Sequence, residues 1–297
     1  MNYRNSPIRR IGRADSLLIK GGVTILFSRQ FFKALYGSAD YPQGFNNKAT
    51  ISFDCDYSAD VEALPKLLEL LSSYEVKSSF ACVGKLIEKY PAEHSLIIED
   101  GHEIINHTYT HPPNEEMKSQ RKFHELNCAE LEDEVGKCHK VCNDVLGYEP
   151  IGFRIPHFAA QYTDRIYGIL AEKGYAYSTS LLAVKSPSLS LPCYIDGILE
   201  FPVSTCPSHP FQAFDTYHAF RSRLTSHRDE ADFFDSLNYL VRFNHERGWY
   251  TNIYLDPMDV IKLKDFGRFL EYIKDSRISV RTYRDLMSDF PRGAEVA

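Results

Sequence analysis

The amino-acid sequence predicts one α/β barrel domain preceded by a short extension, and two observations carry this prediction. Strand-like and helix-like runs alternate along most of the 297 residues, which is typical of a parallel sheet with helices packed outside it. Polar side chains follow directly after strand-like runs, at Asp54 and Asp56, at His107 and His111, and at Arg154. Because reactive groups of (β/α) barrels lie at the C-terminal ends of strands, we expect these side chains to meet at one mouth.

Hydrophobic periodicity and turn residues indicate each element in order. After a β-prone run at 49–53, the helical pattern at 59–74 places apolar residues on one face, at Val61, Leu64, Leu67, Leu68 and Leu71. The later elements are a strand at 76–83, a helix at 85–99 broken by Pro91, a strand at 101–106, a helix at 122–146, a strand at 151–154, a helix at 163–173, a strand at 175–180, a helix at 230–247, a strand at 250–255, a helix at 264–274 and a final strand and helix to 290. Residues 187–216 are rich in proline and polar residues, which predicts long loops near the mouth.

The N-terminal 45 residues are interpreted as an extension ahead of a barrel domain at 46–297, because the stretch 38–47 is rich in turn residues. Arginines precede an apolar stretch at 16–27, but Lys20 and two glycines interrupt it, so a cytoplasmic location is favoured over secretion. No stretch is long and apolar enough to predict a membrane span. Contact of the extension with a membrane surface stays open.

Composition and charge exclude several classes of function. The formal net charge of -6 and the lack of a basic cluster argue against nucleic-acid binding. The seven cysteines form no CxxC pair and no regular framework, which is typical of reduced thiols in a cytosolic protein. With 43% apolar residues, a chain of this length can bury a large core.

The polar residues after the strands have the chemistry of a hydrolytic metal site. His107 and His111 lie four residues apart, and one carboxylate from the pair Asp54 and Asp56 would complete a two-histidine, one-carboxylate set with open positions for water and substrate. The other carboxylate of the pair can then take a proton from a metal-bound water. Arg154 beside a carboxylate would favour its ionised form and hold its orientation.

These motifs, taken in order, resemble those of polysaccharide deacetylases, the NodB-homology group of carbohydrate esterases. Residues 77–112 look very like the matching stretch of that family, and residues 52–56, 107–111 and 152–158 are similar to its first three motifs. The segments 200–204 and 268–286 resemble later parts of the family. The resemblance implies a distorted (β/α) barrel and metal-dependent N-deacetylation of an acetylated amino sugar.

The resemblance also implies roles for individual residues. Asp54 would be the general base, oriented by Arg154. A divalent metal, usually zinc in this family, would be held by Asp56, His107 and His111. The backbone N–H of His157 would donate a hydrogen bond to the oxyanion.

The sequence departs from the family where the leaving amine is protonated. Asp256 stands in place of the family's histidine, and Ser178 stands in place of the aspartate that pairs with it. Asp256 could be the acid if burial raised its pKa. Alternatively another histidine reaches the site, with His157 and His209 as candidates although a loop role is favoured for His209, or the site binds and turns over poorly.

The leading functional hypothesis is a metal-dependent N-deacetylase. A cytoplasmic location would favour a lipid-linked or nucleotide-linked sugar as substrate over a mature glycan. One alternative is hydrolysis of a cyclic imide or another small amide by the same metal site. A second alternative is a metal-binding barrel with reduced or lost catalysis, against which the retained Asp54 and Arg154 argue.

Overall fold

A curled β-sheet, parallel at all but one of its pairings in the described structure, forms the centre of the protein. The structure, a computed structural model, describes residues 7–14, 16–37, 47–158, 161–222 and 226–290. Its strands are β1 Lys48–Cys55, β2 Ser79–Cys82, β3 Glu103–Asn106, β4 Gly152–Phe153, β5 Tyr177–Ser178, β6 Cys193–Ile195, β7 Ile198–Glu200, β8 Thr251–Leu255 and β9 Ser279–Val280.

Helices precede, separate and follow these strands. They are α1 Pro7–Arg13, α2 Leu17–Gly37, α3 Ser58–Ser73, α4 Gly84–Lys89, α5 Pro91–Glu99, α6 Cys128–Leu146, α7 Arg165–Glu172, α8 Glu230–His245, α9 Pro257–Val260, α10 Phe266–Asp275 and α11 Tyr283–Met287. The described residues also include a 3₁₀ turn at Phe123–Glu125 and a π-helical turn at Tyr217–Arg221. The five apolar positions predicted to share a face of α3 are all buried, and Pro91 divides the predicted helix 85–99 into α4 and α5.

Strand register brings the predicted site residues to one edge of the sheet. The strand order is β6-β7-β5-β4-β3-β2-β1-β8, with β9 pairing β1. Asp54 of β1 pairs Ala81 of β2, while Asn106 at the end of β3 pairs Phe153 at the end of β4. Because these strands are parallel, the residues that follow β1, β3 and β4 emerge side by side.

The two ends of the sheet approach each other through a short segment after β7. The backbone N–H of Ser204 donates to the carbonyl of Asn252 on β8 over 2.8 Å, and the Asn252 N–H donates back to Ser204 Oγ over 3.1 Å. The sheet therefore curls into a distorted barrel, and the predicted fold class is confirmed.

The prediction that residues 187–216 form loops is wrong for part of that stretch. β6 and β7 form an antiparallel hairpin there. Its turn is made by Asp196 and Gly197, which have φ angles of 48° and 82°. An Asp-Gly pair is a strong signal for a tight hairpin turn, but the prolines and polar residues around it obscured the short strands.

The described part of the N-terminal extension packs onto the barrel. Phe32 and Tyr36 of α2 are buried and stack with ring centroids 4.4 Å apart. Tyr36 also contacts Trp249, just before β8, at 5.3 Å between ring centroids. The predicted boundary between residues 45 and 46 lies outside the described residues, so the domain division stays a prediction.

The N-terminal half of α2 exposes large apolar side chains to solvent, namely Leu17, Leu18, Ile25, Leu26 and Phe27. Among the described residues, no helix combines the length and the apolar character that crossing a bilayer would require. Contact of this helix with a membrane surface stays a prediction.

A substitution at Gly152 on β4 tests how tightly the residues beneath the site are packed. A Cβ atom at this position would lie 2.0 Å from Cζ of Tyr177 on β5. We expect Gly152→Ala to lower the free energy of unfolding by about 1–3 kcal/mol, because the buried Tyr177 ring must move to relieve the overlap. Denaturant unfolding followed by circular dichroism measures this change.

Gly168 on α7 is the matched control, since a Cβ there meets no atom within 4 Å. Gly168→Ala should leave stability unchanged or raise it by up to about 1 kcal/mol, because alanine favours helix. Equal destabilisation by both substitutions would contradict the packing argument.

Candidate metal centre and active site

Three side chains predicted to bind a metal converge at the C-terminal edge of the sheet. Oδ1 of Asp56 lies 3.2 Å from Nε2 of His107 and 3.3 Å from Nε2 of His111. One ligand atom from each residue lies within 4.8 Å of the other two. The histidine rings are fully buried, whereas the Asp56 side chain is 18% exposed, so the group opens to solvent on one side.

The orientation of His107 is fixed by the strand beside it. Nδ1 of His107 lies 2.9 Å from the backbone carbonyl oxygen of Arg154. A carbonyl oxygen can only accept a hydrogen bond, so Nδ1 carries the proton and Nε2 presents its lone pair towards Asp56. Metal-binding histidines are commonly held in this way.

Short loops position the other two members of the group. The backbone N–H of Asp56 donates to Asp60 on α3, and its carbonyl accepts from Asn114 Nδ2 at 3.0 Å. The His111 N–H donates to Thr108 Oγ1 at 3.0 Å. Thr108 and His111 have φ angles of 66° and 52°, so the connection turns sharply and returns the second imidazole to the first.

The chemistry of these atoms fits a bound divalent metal. Oδ1 of Asp56 and both Nε2 atoms are buried and make no hydrogen bond within the described structure. Buried polar atoms without a partner are costly, and a cation would satisfy all three together. Two imidazoles and one carboxylate with an open side match catalytic zinc sites.

Arg154 and Asp54 form a buried ion pair beside this group. Nη1 of Arg154 donates to Oδ1 of Asp54, and Nη2 donates to Ser52 Oγ at 2.8 Å and to the Tyr283 hydroxyl at 2.7 Å. Oδ2 of Asp54 lies 3.8 Å from Nε2 of His107. One carboxylate oxygen is thus held by the guanidinium and the other faces the metal-binding atoms.

The two aspartates differ in electrostatic environment. Burial raises the pKa of Asp54, and the charges of Arg154 and His107 oppose that rise. Burial would also raise the pKa of Asp56, but His111 and His107 outweigh it and hold that pKa below its ordinary value. Asp54 is therefore better suited to gain a proton, and Asp56 to remain an anionic ligand.

A cavity of about 370 Å³ opens over these residues. Asp54, Asp56 and Asp256 line it together with His157 and several aromatic side chains. The rings of Phe158 and Tyr254 stack in its wall with centroids 4.6 Å apart. The cavity thus combines a polar floor with a flat aromatic face.

Asp256 lies at the end of β8 and is held by two side chains. Its Oδ2 accepts hydrogen bonds from Thr216 Oγ1 at 2.9 Å and from Arg221 Nη2. Nε of Arg221 also lies 3.2 Å from Asp259. Burial raises the pKa of Asp256 well above its ordinary value, while Arg221 opposes the rise.

The two histidines predicted as alternative acids, His157 and His209, lie in different parts of the structure. His157 lines the cavity, with Nε2 placed 2.9 Å from the Pro113 carbonyl and its ring 4.4 Å from that of His111. The structure does not place His209 among the residues that line the cavity. Its ring instead contacts His218 and His227. Ser178 is buried on β5 and donates to Ser180 Oγ.

Several residues that shape the site were missed by sequence reasoning. Tyr283 accepts from Arg154 and donates to Asn252 at 2.6 Å. Asp256 is held by Thr216, which lies in the stretch predicted to be a loop, and by Arg221, which lies in the π-helical turn that follows it. Tyr283 lies in the segment 268–286 that resembles a later part of the family, whereas Thr216 and Arg221 lie in no segment with such a resemblance. Only the fold brings the three residues to the site.

Comparisons with known proteins find sequence similarity in the first half of the chain. Residues 44–178 match the family model described as polysaccharide deacetylase. A peptidoglycan-N-acetylglucosamine deacetylase of Bacillus cereus is 32% identical over 111 residues, which cover 37% of each chain. A peptidoglycan deacetylase-like protein of Gibberella zeae is 30% identical over 132 residues, covering 42% of this chain and 36% of the relative. The chain thus spans little more than a third of these relatives.

Solved structures share the fold over more of the chain. A CE4 family pseudoenzyme from Bacillus anthracis aligns with a TM-score of 0.56 and 15% identity, covering 84% of this chain and 67% of that one. A family 4 carbohydrate esterase from Streptomyces lividans aligns with a TM-score of 0.52 and 14% identity, covering 79% and 92%. The predicted resemblance to polysaccharide deacetylases is confirmed.

The buried Arg154–Asp54 pair leads to a stability prediction. Arg154→Met leaves the Asp54 carboxylate buried without its charge partner, so we expect a loss of about 3–5 kcal/mol in the free energy of unfolding. The double substitution Asp54→Asn/Arg154→Met should cost less than the sum of the single ones, because neither charge is then left alone. Denaturant unfolding of metal-free protein measures the cycle.

Arg121 pairs with Glu130 on the surface and is 53% exposed, which makes it the matched control. Arg121→Met should change stability little, since exposed ion pairs contribute little. If the Arg121 and Arg154 substitutions had the same effect, the buried pair would not be the constraint described.

Proposed function

We propose, from the match of residues 44–178 to the polysaccharide deacetylase family model, that this protein is a metal-dependent N-deacetylase acting on an amino sugar of a glycan or glycan precursor. One observation carries the proposal. Three buried ligand atoms of Asp56, His107 and His111 lack partners within the described structure, and the Asp54–Arg154 pair lies beside them. This arrangement combines a metal-binding group with a basic carboxylate.

Zinc is the metal we propose for this group, because two imidazoles and a carboxylate suit it and leave coordination positions open. A bound divalent ion would polarise the acetyl carbonyl and lower the pKa of a bound water. Asp56, His107 and His111 would hold it.

The residues of the chain supply the remaining chemistry. Oδ2 of Asp54, which faces the metal-binding atoms, would accept the proton of the attacking water, while Arg154 keeps Oδ1 in place. The backbone N–H of His157 would donate to the oxyanion that forms on the acetyl group. The left-handed backbone at His157 and Phe158, with φ angles of 55° and 43°, turns the chain at this point.

Two observations support a sugar substrate. The two relatives described above carry peptidoglycan deacetylase in their names. The cavity also presents aromatic faces at Phe158, Tyr254, Phe211 and Tyr217, and the apolar faces of sugar rings pack well on such surfaces. We therefore propose an N-acetylated sugar, attached to a glycan or to a lipid or nucleotide carrier, as the ligand of the cavity.

Protonation of the leaving amine is assigned in this proposal to Asp256. Burial raises its pKa, and it lines the same cavity as Asp54. A protonated carboxyl there can donate to nitrogen as the amide bond breaks. Arg221 works against protonation, so this half of the reaction is the weaker half of the site.

Asp256 stands where the resembling family has a histidine, and this difference also favours the two alternative functions, a metal-binding barrel with reduced or lost catalysis and hydrolysis of a cyclic imide. A structural neighbour is named a pseudoenzyme, and a mutant of that protein is named as having restored enzymatic activity. Hydrolysis of a cyclic imide at the same metal site is the second alternative. A cytoplasmic location stays a prediction, in keeping with seven free cysteines.

The direct test measures acetate release from acetylated glucosamine oligomers and peptidoglycan by zinc-loaded protein, with small cyclic imides assayed beside them. Asp54→Asn should lower kcat by about 10²–10⁴-fold, because the water loses its base. Removal of the metal by a chelator should abolish turnover, and added zinc should restore it.

Asp133→Asn is the matched control, since Asp133 is 56% exposed on α6 and is not among the residues that line the cavity. It should retain full activity. If wild-type protein turned over imides but no acetylated sugar, the substrate would be wrong. If it bound zinc and turned over nothing, the non-catalytic alternative would replace this proposal.

The role of Asp256 can be tested separately by changing the leaving group. Asp256→Asn should lower kcat on an acetylated sugar by about 10²–10⁴-fold, and much less on an activated aryl acetate, whose leaving group needs no proton. Arg221→Gln removes a charge that favours the carboxylate, so it should raise the pKa of Asp256. Because the acid is active when protonated, the alkaline limb of the pH profile should move to higher pH.

An equal loss on both substrates after Asp256→Asn would show that Asp256 acts on the fold or on metal binding. An alkaline limb that moved to lower pH in Arg221→Gln would contradict the assignment of that limb to Asp256.

A further inference from the structure

A second cluster of metal-binding side chains lies outside the family match. It consists of Cys206, His209, His218 and His227, which we call the Cys/His cluster. All four follow residue 178, where the match to polysaccharide deacetylases ends. One ligand atom from each lies within 4.8 Å of the other three, and only His209 among them is more than slightly exposed.

The distances in the cluster are those of a tetrahedral site. Sγ of Cys206 lies 3.7 Å from Nδ1 of His209 and 3.5 Å from Nε2 of His227. Zinc bonds of about 2.3 Å to sulfur and about 2.0–2.1 Å to nitrogen, at tetrahedral angles, place those atoms about 3.6 Å apart. The observed separations agree with that value.

Two carboxylates orient the imidazole rings of His218 and His227 through their Nδ1 atoms. Nδ1 of His218 lies 3.2 Å from Oδ2 of Asp215, and Nδ1 of His227 lies 3.2 Å from Oδ2 of Asp232. An ionised carboxylate only accepts, so each Nδ1 carries a proton and each Nε2 of a neutral ring turns its lone pair inwards. Carboxylate–histidine pairs of this kind typically support metal ligands.

Hydrogen bonding alone leaves this cluster unsatisfied. Nε2 of His218 is buried and has no hydrogen-bond partner in the described structure. Three imidazole nitrogens face one thiol, which has a single proton to donate. Protonating the rings instead would bring like charges together around one sulfur atom, with the Asp215 and Asp232 carboxylates beside two of the three rings. A cation at the centre satisfies every inward lone pair at once.

We propose that Cys206, His209, His218 and His227 bind a second metal ion, of the zinc class, in a closed four-ligand site. Binding would form one sulfur–metal and three nitrogen–metal bonds and release the thiol proton of Cys206 to solvent. Four protein ligands leave no open position, which is the pattern of structural and not catalytic zinc.

The position of the cluster gives the metal a structural task. His218 lies on the π-helical turn Tyr217–Arg221, which also carries Arg221 and directly follows Thr216. These two residues hold Asp256, while Asp215 and His218 line the cavity. A metal bound by His218 would tie this wall of the cavity to the start of α8 through His227.

Cobalt(II) distinguishes this site from the Asp56/His107/His111 group, because only the Cys/His cluster supplies a thiolate. Full-length protein loaded with cobalt should show a near-ultraviolet thiolate-to-cobalt charge-transfer band. Zinc analysis should give two ions per chain, falling to one in Cys206→Ser and to one in His107→Ala/His111→Ala. The band should persist in the second variant and disappear in the first.

Cys128→Ser is the matched control, since Cys128 is exposed and far from the cluster in sequence; it should keep two ions and the band. Should Cys206→Ser fail to fold, His209→Ala at the more exposed ligand should weaken retention of one zinc against a chelator. Folded wild-type protein with one zinc and no thiolate–cobalt band would overturn the proposal. Since the band needs no turnover, this result is independent of the deacetylase assay.

Discussion

The buried ion pair between Arg154 and Asp54 is the interaction on which the centre of the structure depends. A guanidinium at zero exposure is costly to bury, and it is tolerated here because a carboxylate and two hydroxyls surround it. The backbone carbonyl of the same residue accepts the hydrogen bond that orients His107. One residue after β4 therefore sets the direction of both the candidate base on β1 and a candidate metal ligand after β3.

The placement of these residues at strand ends explains why the sequence could predict the half of the site that contains Asp54, Arg154 and the candidate metal ligands. Asp54 lies near the C-terminal end of β1, and Asp56, His107, His111 and Arg154 each follow a strand within a few residues. Parallel strands bring such positions together whatever the details of packing. Alternation of strands and helices predicted the fold class and the mouth at which these side chains meet, while the resemblance to polysaccharide deacetylases implied their individual roles. The exact partners were not predictable: Tyr283 reaches Arg154 from α11, more than a hundred residues away along the chain.

The other half of the site follows no such rule. Thr216 and Arg221 approach Asp256 from a π-helical turn and the residue before it, and neither has a periodic pattern that marks its direction. The Cys/His cluster is scattered over 22 positions of the sequence, with Cys206-x-x-His209 as its one local signal. The prolines and polar residues of 187–216 predict long loops near the mouth. In fact many of these residues are buried, and polar groups among them find partners within the described structure, such as Ser188 Oγ with the Leu191 carbonyl and Glu200 with the Ser180 N–H.

The two halves differ in the way their side chains are held, and this difference bears on function. The side proposed to activate water is fixed by β1, β3 and β4, whose backbone hydrogen bonds leave little freedom. The side proposed to protonate the leaving group is held by side chains of a segment in which His218 and His227 cluster around Cys206. If the Cys/His cluster is a metal site, its metal performs for Asp256 what strand pairing performs for Asp54: it holds the neighbours that set the position and charge of the carboxyl group. An aspartate in place of a histidine then becomes workable, because an acid whose pKa depends on burial and on one arginine needs those neighbours held rigidly.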